Sequence, residues 1–118
     1  MRNLIILPML LLSPLFSQGQ EEICSEKGGI CVIQFNASFN IANSVDWCEE
    51  LTDCSSSDVD IMKNPDLQKK YKIVVVPTIL ILNGGEEAAR FQANIMMTME
   101  ATREEVQETI DEIIMSDF

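Results

Sequence analysis

Residues 71–82, YKIVVVPTILIL, form the longest aliphatic and β-branched run beyond the N-terminal segment, and Pro77 interrupts it. Proline lacks the backbone N–H that a sheet ladder uses, and its ring restricts φ, so one strand cannot continue through it. The run therefore predicts a loop over 74–76 followed by a strand over 78–82. That strand is expected to be buried on both faces because no polar residues alternate along it.

The residues after this strand predict a hairpin. Asn-Gly-Gly at 83–85 favours a tight turn, so residues 88–94 would return antiparallel. Taken together, Tyr-x-Ile-x-x-Val-Pro-Thr, an aliphatic run and Asn-Gly resemble the second half of a thioredoxin. This resemblance implies a cis peptide bond between Val76 and Pro77, beside the family's active site. A cis bond costs only about 0.5–1 kcal/mol before proline.

A second segment, FNASFNIAN at 35–43, resembles the active-site segment of the same family. There, a strand ending in Phe-x-Ala-x-Trp leads to Cys-x-x-Cys at the start of a helix. The two segments align without a gap, and Phe39 supplies the aromatic residue. Asn40 and Asn43 stand at the two cysteine positions, and Gln34 stands where the family has a buried acid in the strand beneath the cysteines.

These substitutions remove the groups on which the family's chemistry depends. Disulfide exchange needs a thiolate nucleophile, and an asparagine amide can neither attack a disulfide nor form one. The amide of Gln34 cannot exchange a proton as a carboxyl group does. We therefore predict no catalytic residue and no cofactor. Asparagine is favoured at helix starts, so Asn40 or Asn43 is interpreted as the N-cap of a helix from 41 or 44 to about 52.

The remaining patterns complete a minimal thioredoxin fold. The spacing predicts strands at 30–35 and 58–62, and a short helix that begins after Asn64. Thr102 and Glu105 form a capping-box pattern before an apolar helical stripe that ends near 115. The predicted fold is α/β, in the order β-α-β-α-β-β-α, with a four-stranded mixed sheet flanked by helices.

The first 19 residues differ in kind from the rest. Arg2 is followed by an apolar run over 4–16 and then by small and polar residues, which is typical of a secretory signal peptide. The run is too short to span a bilayer. We expect an exported protein, periplasmic or extracellular, without stable membrane insertion after cleavage. The expected organisation is a signal peptide at 1–19, a flexible leader at 20–29 and a thioredoxin-like domain at 30–118.

Composition excludes several classes of function. The chain has 8 basic and 19 acidic residues, a net charge of −11, and signal removal takes away Arg2 but no acid. This acidity argues against nucleic acid as a partner. The chain has no histidine, which excludes histidine-based catalysis and most zinc sites. No metal site is predicted.

The four cysteines contain no Cys-x-x-Cys pair. An even number in an exported chain favours disulfides. Cys31 lies in the first predicted strand and is interpreted as a small buried apolar residue. Cys24 precedes that strand and Cys54 follows the first predicted helix, so both are expected at the same end of the sheet. A Cys24–Cys54 bridge is therefore favoured, and Cys48–Cys54 is the alternative.

Three functional hypotheses remain. The first is a binding module that holds an extended segment of an unknown exported protein or peptide by strand addition near Val76, Pro77 and Thr78. Phe39 would border this site, and Gln92, where the family has glycine, would reshape its groove.

The second hypothesis is a thiol-disulfide oxidoreductase of the thioredoxin family that uses displaced cysteines such as Cys48 and Cys54. The third is a structural protein with no ligand in the groove. Fold alone does not choose among these hypotheses.

Overall fold

The computed structural model describes residues 29–118. The signal-peptide and leader predictions and Cys24 lie outside this range, apart from Gly29. No helix within 29–118 is long and apolar enough to cross a membrane. The elements are β1 (Ile30–Asn36), a first 3₁₀ helix (Ser38–Asn43), a second 3₁₀ helix (Cys48–Glu50), β2 (Ser55–Asp60), α1 (Pro65–Lys70), β3 (Thr78–Asn83), β4 (Glu86–Gln92) and α2 (Arg103–Ser116).

The strands form one mixed sheet in the order β2-β1-β3-β4. β1 pairs with β2 in parallel and with β3 antiparallel, and β3 pairs with β4 antiparallel. This is the four-stranded sheet of the predicted fold. The hairpin turn places Gly84 and Gly85 at φ 63° and 90°, in the left-handed region that glycine adopts without steric cost.

Both faces of β1 and β3 are covered. On one face Ile33 and Phe35 pack with Leu80 and with residues of the β2–α1 side. On the other, Val32 and Ile79 pack against α2. Every residue of β1 is buried, and all of β3 is buried except its last residue. The prediction that 78–82 is buried on both faces is therefore confirmed.

All four strand boundaries differ from the sequence predictions: β1 and β3 each end one residue later, and β2 and β4 each begin earlier and end two residues earlier. β2 begins at Ser55, three residues earlier than predicted, because the serines after Cys54 join the parallel ladder opposite Cys31 and its neighbours. β4 spans Glu86–Gln92 and so begins directly after the glycine turn.

The caps of the two α-helices are built differently. Thr102 and Glu105 form the predicted capping box at the start of α2. Asn64 occupies the position before α1 but makes no side-chain cap bond. Its Nδ2 donates instead to the carbonyl of Asp60, 3.0 Å away.

Candidate functional site

The Val76–Pro77 bond is cis, as the resemblance implied. Val76 is buried, and Pro77 and Thr78 are fully buried, at the end of the sheet where β3 begins. The carbonyls around the bond already have donors within the chain. Thr78 Oγ1 donates to the carbonyl of Val75 (2.7 Å), and the amide N–H of Ala93 donates to that of Pro77 (3.0 Å). Each of these two carbonyls therefore has one of its two acceptor positions occupied from within the chain.

Asn40, which the resemblance aligns with the first cysteine, forms hydrogen bonds to three segments of the chain. The residue lies in the first 3₁₀ helix and is only 6% exposed. Nδ2 donates to Oδ1 of Asn36 (3.1 Å), to the carbonyl of Met97 (3.2 Å) and, at 3.4 Å, to the carbonyl of Val76 before the cis bond. The side chain of Asn40 therefore lies beside the cis-proline loop and forms a hydrogen bond to it.

The other asparagines extend this contact into a network. Asn43 Nδ2 donates to Oδ1 of Asn40 at 2.8 Å. Asn36 Nδ2 donates to the backbone carbonyl of Asn40 (3.1 Å) and to the hydroxyl of Ser44 (2.7 Å). We call Asn36, Asn40 and Asn43 the amide network. Its members satisfy one another's polar groups, which is what buried amides require.

Gln34, which the resemblance aligns with the family's buried acid, forms hydrogen bonds through both the oxygen and the nitrogen of its amide. The backbone N–H of Val45 donates to Oε1 (2.9 Å), and Nε2 donates to the carbonyl of Val45 (3.1 Å) and to Oδ1 of Asp58 (3.1 Å). Gln34 is 3% exposed. The side-chain amide of Gln34 therefore forms two hydrogen bonds with the backbone of Val45, as a neighbouring strand would.

This pairing explains why the helix predicted over 41–52 does not form. An α-helix needs each backbone N–H for the carbonyl four residues earlier, but both backbone groups of Val45 are bonded to Gln34. The segment consists instead of two 3₁₀ helices with non-helical backbone between them. The N-cap interpretation is also wrong, because Ala37 occupies that position and makes no side-chain cap bond.

The predicted bridges involving Cys54 are wrong, since Cys48 and Cys54 are both free thiols. Cys48 is buried in the apolar cluster beneath α2, and Cys54 packs at its border. Cys31 is buried, as predicted, but is disulfide-bonded. Its partner lies outside the described residues.

Neither free thiol has the environment of a nucleophile. Burial, followed by the charge of Asp58, raises the pKa of Cys48 to about 12. Burial also raises the pKa of Cys54, and Asp53 adds to the effect. Reactive cysteines have lowered pKa values and accessible sulfur atoms. The electrostatics therefore oppose a displaced redox site at this pair.

An exposed apolar surface borders the cis-proline loop. Phe39, Val74 and Ile95 are 67%, 77% and 96% exposed. Together with Ile61 and Met97 they line a groove with a volume of about 240 Å³, here called the apolar groove. Gln92, predicted to shape it, is exposed opposite Thr78 in the sheet register and does not line it.

The side chain of Asn94 organises the loop that carries Ile95. Asn94 Oδ1 accepts hydrogen bonds from the backbone N–H groups of Met96 (2.8 Å) and Thr98 (3.2 Å) and from the Thr98 hydroxyl (3.0 Å). Met97 adopts a φ of 61° in this turn. The turn thus presents Ile95 to solvent from a fixed backbone.

The sequence prediction missed several residues of this site. Three of them form hydrogen bonds between segments, which no local sequence pattern indicates: Asn36, Ser44 and Val45. The role of Asn94 could have been predicted, because asparagine side chains often accept hydrogen bonds from backbone N–H groups two residues later.

Comparison with solved structures identifies the fold. A variant thioredoxin from Halobacterium salinarum is 19% identical, with a TM-score of 0.59, over 80% of this chain and 85% of that chain. Fasciola hepatica thioredoxin is 27% identical, with a TM-score of 0.55, over 74% and 83%. Schistosoma mansoni thioredoxin is 22% identical, with a TM-score of 0.58, over 73% and 78%.

No protein-family model and no curated protein matches the chain. The structural neighbours are consistently thioredoxins, and the sheet order and cis-proline loop agree with them. The chain therefore has a thioredoxin-like fold. Asparagines stand at 40 and 43, the positions that the sequence resemblance aligns with the family's dithiol.

Proposed function

We propose that the protein is an exported binding module of the thioredoxin fold that has no redox dithiol and recognises an exported protein or peptide. The apolar groove carries this proposal. Three large side chains that border it, Phe39, Val74 and Ile95, are mostly in solvent, and exposed apolar patches of this kind mark interaction sites. Export rests on the signal-peptide pattern of residues 1–19.

The proposed mode of binding is not the strand addition that the sequence suggested. The carbonyls of Val75, Val76 and Pro77 all accept hydrogen bonds within the chain. Recognition at the groove is therefore assigned to side-chain burial rather than to a backbone ladder. Strong acidity continues to disfavour nucleic acid as the partner.

No observation favours the oxidoreductase alternative. The dithiol positions carry asparagine, and burial raises the pKa values of the two free cysteines. A purely structural protein without a ligand is the remaining competitor, and the exposure of the groove's apolar residues argues against it.

Removing apolar surface from the groove should weaken binding. In an array of extended apolar peptides, the best ligand of the wild type should bind the Val74→Ser/Ile95→Ser double variant about tenfold or more weakly, because two exposed anchors are lost. Fluorescence anisotropy measures this difference. Met115→Ser is the matched control, since Met115 is 73% exposed at the end of α2, outside the groove. Equal weakening in the control, or no peptide ligand at all, would contradict the proposal.

A further inference from the structure

The apolar groove lies beside a strongly basic stretch of an acidic protein. Residues 63–72 contain four lysines and one aspartate, whereas the whole chain has a net charge of −11. All four lysines are exposed: Lys63, Lys69, Lys70 and Lys72. The rest of the range 29–118 contains two further basic residues, Arg90 and Arg103. Most of the positive charge in the described part of the chain is therefore concentrated in this one stretch.

This basic stretch carries one wall of the groove. Gln68, within it, lines the groove together with Ile61 and Val74, which stand two residues before and two residues after the stretch. The wall has a defined backbone, because the N–H of Ile73 donates to the carbonyl of Gln68 (2.9 Å) and Gln68 Nε2 donates to the carbonyl of Ile73 (3.3 Å). Long lysine side chains can extend from this backbone to the rim of the groove.

The two walls of the groove differ in charge. On the wall opposite α1, Asn94 Nδ2 donates to the carboxylate of Glu100, 2.9 Å away. On the α1 wall, the lysines outnumber the single aspartate of the stretch. The ion pairs within residues 29–118 are formed by Arg90 and Arg103, and none of them involves a lysine. An apolar ligand in the groove therefore meets positive charge along the α1 wall.

We propose that the apolar groove recognises a short acidic and apolar segment of an exported partner protein: its apolar side chains fill the groove, and its carboxylates face the lysines of residues 63–72. This inference rests on the proposed function, because it names the class of segment that the groove binds. The groove volume of about 240 Å³ suits a short motif rather than a long helix face. Complementary charge around an apolar contact provides specificity and speeds association.

Two other occupants match the groove less well. The segment 20–28 also contains acids, but the chain enters the fold at Ile30, whereas Phe39 at the groove follows the opposite end of β1. A second copy would bring another net charge of −11, and repulsion between two such chains opposes their association. An independent partner with a local acidic segment avoids both difficulties.

The test uses three capped, fluorescent heptapeptides with the same apolar centre, leucine-phenylalanine-leucine. Pairs of glutamates, glutamines or lysines flank this centre on both sides. In about 0.1 M salt, fluorescence anisotropy with the full mature chain should show that the glutamate peptide binds about fivefold or more tightly than the glutamine peptide. The lysine peptide should bind more weakly than either. General attraction to an acidic protein would give the reverse order.

Lys69→Gln/Lys72→Gln should remove most of the preference for glutamate. Lys69 directly follows Gln68, and Lys72 lies two residues before Val74, so both are next to residues that line the groove. The affinity for the glutamine peptide should change less than about twofold, because that peptide has no charge for the lysines to attract. Circular dichroism should remain that of the wild type, since both side chains are exposed.

Met115→Glu/Ser116→Glu is the matched control, because it changes the net charge by the same amount at exposed positions. These residues end α2 at the far end of the sheet, where Asn83 Nδ2 donates to the carboxylate of Asp117, 3.2 Å away. The control should keep the preference for glutamate, because charges farther away than about 10 Å are largely screened at this salt concentration. Equal loss of preference in both double variants would overturn the inference.

The remaining outcomes separate this inference from the proposed function. Equal affinities of the wild type for the glutamate and glutamine peptides would overturn the inference and leave peptide binding at the groove intact. Val74→Ser/Ile95→Ser should weaken both peptides. Glutamate-peptide binding that is unchanged in this variant would mean that the lysines act without the groove, which would also overturn the inference. Absence of binding by all three peptides would overturn both proposals. A dimeric mass of the free chain that is lost in Lys69→Gln/Lys72→Gln would assign the groove to a second copy instead.

Discussion

Asn40→Ala should destabilise the protein by about 2–4 kcal/mol. The substitution removes the donor that serves Asn36, Val76 and Met97 and the acceptor that serves Asn43. Each buried polar group left without a partner costs about 1–3 kcal/mol, and partial access of water to the outer members limits the sum. Urea unfolding followed by circular dichroism measures the change in the free energy of unfolding.

Asn43→Ala is the matched control for this experiment. Asn43 lies at the outer end of the amide network and donates a single bond to Asn40, so its loss should cost about 1 kcal/mol or less. Equal effects of the two substitutions would mean that Asn40 is not the residue that joins the three segments. A negligible effect of Asn40→Ala would contradict a structural role for the network.

Gln34→Glu, which introduces the acid that the resemblance implies at this position, should destabilise the protein by about 3–5 kcal/mol at neutral pH. The introduced carboxylate would be buried, would face the carbonyl of Val45 without a hydrogen to donate, and would lie next to the carboxylate of Asp58. A buried charge without a compensating partner costs this order of free energy. Gln92→Glu adds the same charge at an exposed position and should be nearly neutral.

The penalty of Gln34→Glu should disappear in acid. Burial and the neighbouring carboxylate raise the pKa of the introduced group above its unfolded value of about 4.3. The loss of stability is therefore complete when the pH is above the pKa of the folded state. It shrinks as the pH falls through that pKa toward the pKa of the unfolded state. Urea unfolding of variant and wild type at each pH gives the difference. This comparison is needed because Asp60 and Glu87 have lowered pKa values, so the wild type also loses stability in acid. A difference independent of pH would contradict this account of Gln34.

The sequence was sufficient for the fold because its signals are local. Pro77 inside an aliphatic run, the glycines at 84 and 85 and the capping box of Thr102 and Glu105 each restrict the backbone where they stand. These patterns predicted β3, the hairpin and α2, and the family resemblance supplied the cis bond.

The site was only partly predictable because its bonds join distant parts of the chain. Residues 41–52 carry a spacing compatible with a helix, but Gln34, eleven residues before Val45, withdraws that residue's backbone from the helix. Pairing of Cys54 was predicted from its expected end of the sheet, whereas its thiol packs against the core and remains free. Only distances in the folded structure show whether residues 41–52 form a helix and whether Cys54 is paired.

The central claim is that asparagines stand where the resemblance places the family's dithiol and that the free cysteines Cys48 and Cys54 have not assumed its role. Insulin reduction by dithiothreitol, followed by turbidity with and without the mature protein, tests this claim directly. We predict the uncatalysed rate, since burial raises the pKa of Cys48 to about 12 and no thiol stands at position 40 or 43. Turnover above that rate, abolished by Cys48→Ser or Cys54→Ser, would contradict the account.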